Sequence, residues 1–201
     1  PTKRSNLFGK NLNEFIREGK IQGLRMTSSK YPEDSPQFGS MALVTSAEKT
    51  SYLLRWTGGA WWDDFHKWWD EFSATGSFAN PGEAAPTPEG NTDIATLVAT
   101  VDLDSGATQD VAFVLAWHFP MRENYWNPQP KYKGKRFRNQ YALRFRDAWG
   151  VAKYTVDNMP RLEQDTRAFH DSFFRSTLPA AVLDAASSQA SIIRSNTCMF
   201  V

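Results

Sequence analysis

The sequence has few of the residues on which several classes of protein depend. Its one cysteine, Cys198, can form neither an internal disulfide nor a thiolate metal cluster. No run of about 20 apolar residues is present, so we expect no transmembrane segment. The 23 basic residues nearly balance the 22 acidic residues, and a net charge of +1 gives no general reason to expect nucleic acid or an anionic membrane as partner.

Histidines and nucleotide-binding motifs are equally sparse. The three histidines are His66, His118 and His170, and none has a nearby cysteine or a second histidine at metal-ligand spacing. We interpret each as a structural histidine and predict no metal site. No glycine-rich phosphate loop or serine nucleophile elbow is present, so the sequence predicts no cofactor and no covalent serine chemistry.

Aromatic residues, in contrast, are concentrated in one short segment. Residues 61–72 contain four of the eight tryptophans and two phenylalanines. Spacings of three and four residues predict a helix over about 61–74, with Trp61, Phe65, Trp68 and Phe72 on one face. Trp62 and Trp69 lie on the flank of that face. The opposite face is charged, so the segment is amphipathic and needs a large apolar partner.

Two interpretations of the aromatic residues remain open. Helical periodicity favours packing, so we predict an interdomain contact made by Trp61, Phe65, Trp68, Phe72 and Trp117. Tryptophan rings also stack on the apolar faces of sugars, and the candidates for such a ligand platform are Trp62, Trp69 and Trp126. The neighbouring Asp63 and Asp64 diverge by about 100° on a helix, so they cannot flank one glycosidic bond from opposite sides. We therefore assign no catalytic residue.

The first part of the chain is rich in predicted strands. Strand patterns cover residues 21–27, 38–46 and 51–56, and we expect them to form a meander. A hairpin is predicted from two further runs, 93–103 and 108–119, joined by a glycine-containing turn. Apolar residues alternate on both sides of the second run, which predicts that both faces are largely buried. A basic segment over 122–139 is interpreted as a solvated loop rather than a nucleic-acid patch.

The pattern becomes helical near residue 140. Helices are predicted over 145–159, from Pro160 to about residue 173 after a kink or restart, and over about 179–193. The expected fold class is therefore α+β. Residues 1–140 form a portion of an antiparallel β-sandwich with one aromatic helix, and residues 141–201 form a helical linker or the first helices of a further domain. The chain begins at Pro1 and stops in an apolar run, from which we infer a piece of a longer protein.

Several of these segments resemble a known family. They are the strand over 113–120 with Ala116, Trp117 and Pro120, the Trp-x-x-Phe pairs Trp62 with Phe65 and Trp69 with Phe72, and the helix start at Leu178 and Pro179. Together they resemble the N-terminal domain of glycoside hydrolase family 116, which includes the non-lysosomal glucosylceramidases, also called bile-acid β-glucosidases. The resemblance covers about residues 40–201.

The resemblance implies a β-sandwich followed by an (α/α)6 barrel that is absent from this chain. It also implies that the retaining pair, a glutamate nucleophile and an aspartate acid/base, lies in that barrel beyond Val201. The expected partners are then the protein's own C-terminal catalytic domain and a glycoside substrate. Ser188 to Ala190 stand where the glucosylceramidases have an Asn-Glu pair, which implies a bacterial subgroup whose substrate is not a glycolipid. The compartment stays undetermined.

Overall fold

The computed structural model describes residues 7–56, 64–125 and 127–193. Its strands are β1 (Asn11–Glu18), β2 (Ile21–Ser28), β3 (Ser40–Thr45), β4 (Lys49–Leu53), β5 (Thr96–Thr100), β6 (Phe113–His118), β7 (Met121–Glu123) and β8 (Arg136–Arg138). Its helices are α1 (Asp64–Thr75), α2 (Ala148–Asp157), α3 (Met159–Phe174) and α4 (Ala180–Ile193). A short 3₁₀ helix, Gln140–Leu143, precedes α2. All strand pairs are antiparallel, so the expected α+β class is confirmed.

A four-stranded sheet with the order β1-β2-β3-β6 forms the centre of the molecule, and we call it the main sheet. Strands β1 and β2 are joined by a two-residue turn, in which Gly19 has a φ of 60°. Glycine adopts this left-handed conformation without a steric penalty, which suits a tight hairpin. The sequence analysis predicted β2 but missed β1.

Two predicted strand connections are wrong. Strand β4 leaves the expected meander and pairs with β5, and β6 pairs with β3 rather than with β5. The turn between β5 and β6 does form, because the Ala107 amide donates to the Asp104 carbonyl at 3.0 Å. A turn signal predicts a local reversal, but burial decides the pairing. Leu97 of β5 enters the core on one side of the main sheet, whereas Ala116 of β6 enters the core on the other.

Helix α2 covers one face of the main sheet. Ile21, Ala42, Val44 and Ala116 on the sheet form a buried cluster with Ala148, Trp149 and Ala152 on the helix. Alanine side chains on both surfaces let the helix backbone approach the strands closely. Full burial of one aromatic ring such as that of Trp149 contributes about 2 to 3 kcal/mol. Although the sequence analysis grouped α2 with the linker, it is part of this core.

Polar contacts hold the start and the middle of α2 in place. At its start, the Asp147 side chain accepts a hydrogen bond from the Gly150 amide at 2.9 Å, which is a typical N-cap. The Trp149 indole donates to Glu18 at the end of β1 at 2.9 Å, and Lys153 pairs with the same carboxylate. These two donors, the Lys153 ammonium first, hold the pKa of Glu18 below its usual range. Asn158 separates α2 from α3, and Pro160 lies in the first turn of α3, so the predicted restart is confirmed.

The two-stranded sheet β4-β5 lies over part of the other face of the main sheet. The core between the two sheets is centred on three buried leucines, Leu24, Leu54 and Leu97, and Phe15 and Leu43 pack beside them. The rings of Phe15 and Tyr52 stack in parallel with centroids 3.9 Å apart. The two layers therefore form a sandwich with its own apolar core.

The remaining elements lie at the periphery. Residues 122–139 were predicted to be a loop, but they contain the short hairpin β7-β8. Its Arg136 forms an ion pair with Asp34 at 2.5 Å. Helix α3 buries none of its residues, and α4 buries Leu183. None of the helices in the described ranges is long and apolar enough to cross a membrane.

His118 gives the fold a specific pH dependence. Its ring is buried beside the ring of Tyr141, and its Nε2 lies 3.0 Å from the carbonyl oxygen of Phe145, shortly before α2. The structural role predicted for this histidine is confirmed. Burial lowers the pKa of His118 from its ordinary value of 6.5, so the folded state holds the ring neutral while the unfolded chain protonates it. The stability that depends on the neutral ring is complete above pH 6.5 and is lost as the pH falls below that value.

We expect the free energy of unfolding to fall between pH 7 and pH 5 with a slope of up to about 1.4 kcal/mol per pH unit from this one group. His118→Gln should lower stability and flatten this slope, because glutamine does not titrate. His170→Gln on the exposed surface of α3 is the matched control and should keep the wild-type slope. Urea unfolding across this pH range measures both effects. An unchanged slope in His118→Gln would contradict the assignment.

Candidate functional site

Helix α1 docks on the β4-β5 layer through two of its predicted aromatic residues. Trp68 stacks on Trp56, with centroids 5.2 Å apart, and on Phe72, with centroids 5.4 Å apart. Phe72 in turn stacks on the buried ring of Phe78 at 5.9 Å. The helix is thus held by a continuous set of ring contacts, which we call the aromatic cluster: Trp56, Trp68, Phe72 and Phe78.

One hydroxyl group joins the aromatic cluster to strand β5. The indole N–H of Trp56 donates to the Thr96 Oγ at 2.8 Å, and the indole N–H of Trp68 donates to the same oxygen at 3.0 Å. A hydroxyl oxygen has two acceptor lone pairs, so Thr96 can satisfy both donors. Neither Thr96 nor Phe78 was identified from the sequence. Threonine at a strand start is too common to signal this role without the fold.

The outer side of α1 remains exposed. Phe65 is 58% exposed and Trp69 is 50% exposed, although both rings contact Trp68, at 5.8 and 6.1 Å. The structure therefore brings together Phe65, Trp68, Trp69 and Phe72, as helical spacing predicted. Trp61, Trp62 and Trp126, the other predicted aromatic site residues on these segments, lie outside the described residues.

A second exposed apolar surface lies on β6, which is an edge strand of the main sheet. Phe113, Leu115 and Trp117 alternate along one face of β6 and are 46%, 53% and 58% exposed. We call these three residues the β6 stripe. The prediction that both faces of this strand are buried is wrong. The β4-β5 layer covers Leu24 and Leu43 of the neighbouring strands but leaves the β6 stripe uncovered.

No group of three histidine, cysteine, aspartate or glutamate side chains is placed to hold a metal ion within the described ranges. Asp70 and Glu71 are exposed on α1, and His66 is exposed beside them. His118 is buried, and its ring nitrogen Nε2 is within hydrogen-bond distance of the Phe145 carbonyl oxygen. Large apolar side chains are exposed on both α1 and β6.

An ion pair between a half-exposed arginine and a buried aspartate stabilises the loop that enters β5. The Arg55 side chain contacts the carboxylate of Asp93 at 2.9 and 3.1 Å, and it also donates to the Ala85 carbonyl at 2.8 Å. The Asp93 side chain is only 6% exposed. Through its bond to Ala85, the arginine also connects the long 80–90 loop to the sandwich. The sequence analysis identified neither residue.

Comparison with known families identifies the fold. The family model described as beta-glucosidase 2, glycosyl-hydrolase family 116 N-term, matches residues 2–162. The chain belongs to this family. The family 116 N-terminal match includes β1 to β8, α1 and α2, and it ends early in α3. Curated proteins gave no match to the chain.

The match refines the resemblance that the sequence analysis described. That resemblance was placed over about residues 40–201, whereas the family 116 model also covers the first forty residues and stops at residue 162. The difference has a structural reason, because β1 and β2 supply half of the main sheet and are integral to the domain. The motif with Ala116 and Trp117 lies on β6, where Ala116 is buried and Trp117 is exposed.

Thr96 provides a direct test of how α1 is held. Thr96→Val removes the acceptor for both indole donors while keeping a similar side-chain volume. We expect the free energy of unfolding to fall by about 1 to 3 kcal/mol, because two partly buried N–H groups lose their partner. Thr100→Val at the exposed end of β5 is the matched control and should change stability by less than about 0.5 kcal/mol. Urea unfolding followed by tryptophan fluorescence measures both, and equal effects would refute the role of Thr96.

Proposed function

We propose that this chain is the non-catalytic N-terminal scaffold of a retaining β-glycosidase of the β-glucosidase or glucosylceramidase type. Its catalytic domain would follow it in the same polypeptide, beyond Val201. Membership of the family 116 N-terminal domain is the observation that carries the proposal.

The proposed division assigns the chemistry to the partner domain. A retaining glycosidase needs two carboxyl groups about 5 to 5.5 Å apart, one to attack the anomeric carbon and one to protonate the leaving oxygen. Water then releases the sugar from the covalent intermediate, with the second carboxyl acting as base. None of these roles falls to a residue of this chain in the proposal. The chain contributes position and stability.

The exposed apolar surfaces support a role in domain packing. The β6 stripe presents three large apolar side chains on one strand face, and such patches are typical of interaction sites. Phe65 on α1 is a second exposed ring. We propose that Phe65 and Trp117 contact the catalytic domain. Trp68 and Phe72 lie on the other side of α1 and pack against the sandwich. Trp61 belongs to this packing group in the proposal.

The last helices would form the connection. An isolated helix of the length of α3 is marginal in water, and most helical stability in proteins comes from packing an apolar face. Yet α3 buries none of its residues, and it carries Phe169 in stacked contact with Phe173 at 6.0 Å. We propose that α3 and α4 are linker helices that lie against the catalytic domain.

Activity of the chain itself tests the proposal. We expect the 201-residue chain to release no 4-nitrophenol from 4-nitrophenyl β-glucoside, because the proposal assigns the catalytic pair to the following domain. The polypeptide extended through the following coding sequence should hydrolyse the same substrate. Hydrolysis by the purified 201-residue chain, retained through several chromatographic steps, would overturn the scaffold role.

A carbohydrate-binding module is the second candidate function. Its specific support is Trp69, whose half-exposed ring lies beside the exposed Phe65. Aromatic rings in such positions can stack on sugar faces, and Trp62 and Trp126 would extend the platform in this alternative. The partner would then be a glycan rather than a protein surface.

Fluorescence titration separates the two candidates. The scaffold proposal predicts no saturable change in tryptophan emission when millimolar methyl β-glucoside or cellobiose is added to the chain. Trp69→Ala and the matched variant Phe65→Ala should give the same flat titration. A saturable change that Trp69→Ala abolishes and Phe65→Ala preserves would favour the binding module.

A further inference from the structure

An open groove lies over the part of the main sheet that the β4-β5 sheet does not cover. Its volume is about 730 Å³, which lies within the range of about 300 to 1,000 Å³ typical of small-molecule sites. Its floor is one row of the main sheet, in which Asn13, Met26 and Met41 are paired across β1, β2 and β3. The next position of this row is Trp117 of the β6 stripe. We call this space the inter-sheet groove.

Most of the groove surface is apolar. Met26 and Met41 form the floor, and the rings of Phe8, Tyr31 and Phe119 are among its walls. Methionine side chains are flexible and polarizable, so they adapt to ligands of irregular shape. The β4-β5 layer buries the adjacent row of Phe15, Leu24 and Leu43, and it ends before the methionine row.

The polar end of the groove presents acceptors. Asn13 is 7% exposed, and its amide nitrogen donates to the Leu54 carbonyl at 2.9 Å. That donor contact fixes the orientation of the amide and leaves Oδ1 as a hydrogen-bond acceptor. Asn13 Oδ1 accepts no hydrogen bond from any residue in the described ranges, although the side chain is more than nine-tenths buried. An acceptor that faces a groove and has no partner within the described ranges can pair with a ligand donor.

A second acceptor lines the same groove. The carboxylate of Asp93 is held by Arg55, the residue that follows Leu54, and each of its oxygens retains acceptor capacity beyond this pair. Because the guanidinium balances the carboxylate charge, the polar end is close to neutral. It therefore matches a neutral hydrogen-bond donor such as a hydroxyl group better than an ammonium group or an anion.

We propose that the inter-sheet groove binds a small apolar molecule that carries a hydroxyl group. The apolar body would lie on Met26 and Met41, and the hydroxyl would donate to Asn13 Oδ1. The proposal rests on the groove and its unpartnered acceptor, and it is independent of the scaffold role. No bond is made or broken, so the site is one of recognition.

A pair of isomeric probes tests the proposal without any substitution. The chain is labelled with ¹³C at its methionine methyl groups and titrated with 1-hexanol and, separately, with 1-methoxypentane. The two probes have the same atoms, but the ether has no donor. We expect 1-hexanol to shift the methyl signals of Met26 and Met41 in a saturable manner while the signal of Met159 on α3 stays in place. The ether should bind about two- to tenfold more weakly, which corresponds to one hydrogen bond.

A substitution then identifies the acceptor. In Asn13→Ala, we expect 1-hexanol and 1-methoxypentane to bind with equal affinity, because the acceptor is lost and the methionine floor remains. Equal affinities in the wild-type chain would overturn hydroxyl recognition. Shifts at Met26 and Met41 no larger than the shift at Met159 would overturn the site itself, and this result does not depend on whether Asn13→Ala folds.

Discussion

The burial of strand β3 on both faces is the constraint on which the rest of the domain depends. Ala42 and Val44 point into the core beneath α2, and Leu43 between them packs in the cluster beneath β4 and β5. Because side chains alternate along a strand, a register shift of one residue would exchange these two sets. The tight fit of Ala42 against the helix side and the packing of Leu43 on the other side therefore specify one pairing of β3 with β2 and β6.

This central strand explains why the domain has open surfaces. A two-stranded layer can cover only part of a four-stranded sheet, and β4-β5 covers the row of Phe15, Leu24 and Leu43. The β6 stripe and the inter-sheet groove are what that incomplete cover leaves open. The same geometry thus supports two separate proposals, a protein contact along the edge strand and a small-molecule site above the methionine row.

Local patterns in the sequence predicted the local structure well. The aromatic helix was predicted over about 61–74, and the structure describes it as Asp64–Thr75. This prediction was possible because spacings of three and four residues depend only on neighbours within one helix. The restart at Pro160 follows from the loss of one backbone donor, which is again a local effect. The family resemblance was also recognisable, since its motif with Ala116, Trp117 and Pro120 lies within one strand and its end.

Non-local structure could not be predicted in the same way. Strand β1 contains Asn13 and Glu14 at partly or fully buried positions, so its apolar pattern is weak. Strand β6 pairs with β3, although more than 60 residues separate the two strands in sequence. Burial in the core decides this pairing, and a turn signal gives no information about it. Thr96 and the pair of Arg55 and Asp93 act through residues that only the folded chain brings together. The exposure of the β6 stripe follows from the width of the β4-β5 layer, which is a property of the whole sandwich.

Hydroxyl-radical footprinting of Trp117 tests the central claim most directly. The side chain is oxidised in the 201-residue chain and in the longer polypeptide extended through its following coding sequence, and the rates are compared by mass spectrometry. Trp149, which is buried beneath α2, serves as the internal reference and should react slowly in both. If the domain is a scaffold, Trp117 will react rapidly in the isolated chain and several-fold more slowly in the longer polypeptide. Equal rates at Trp117 in an active longer polypeptide would contradict the claim that the β6 stripe packs against a catalytic domain.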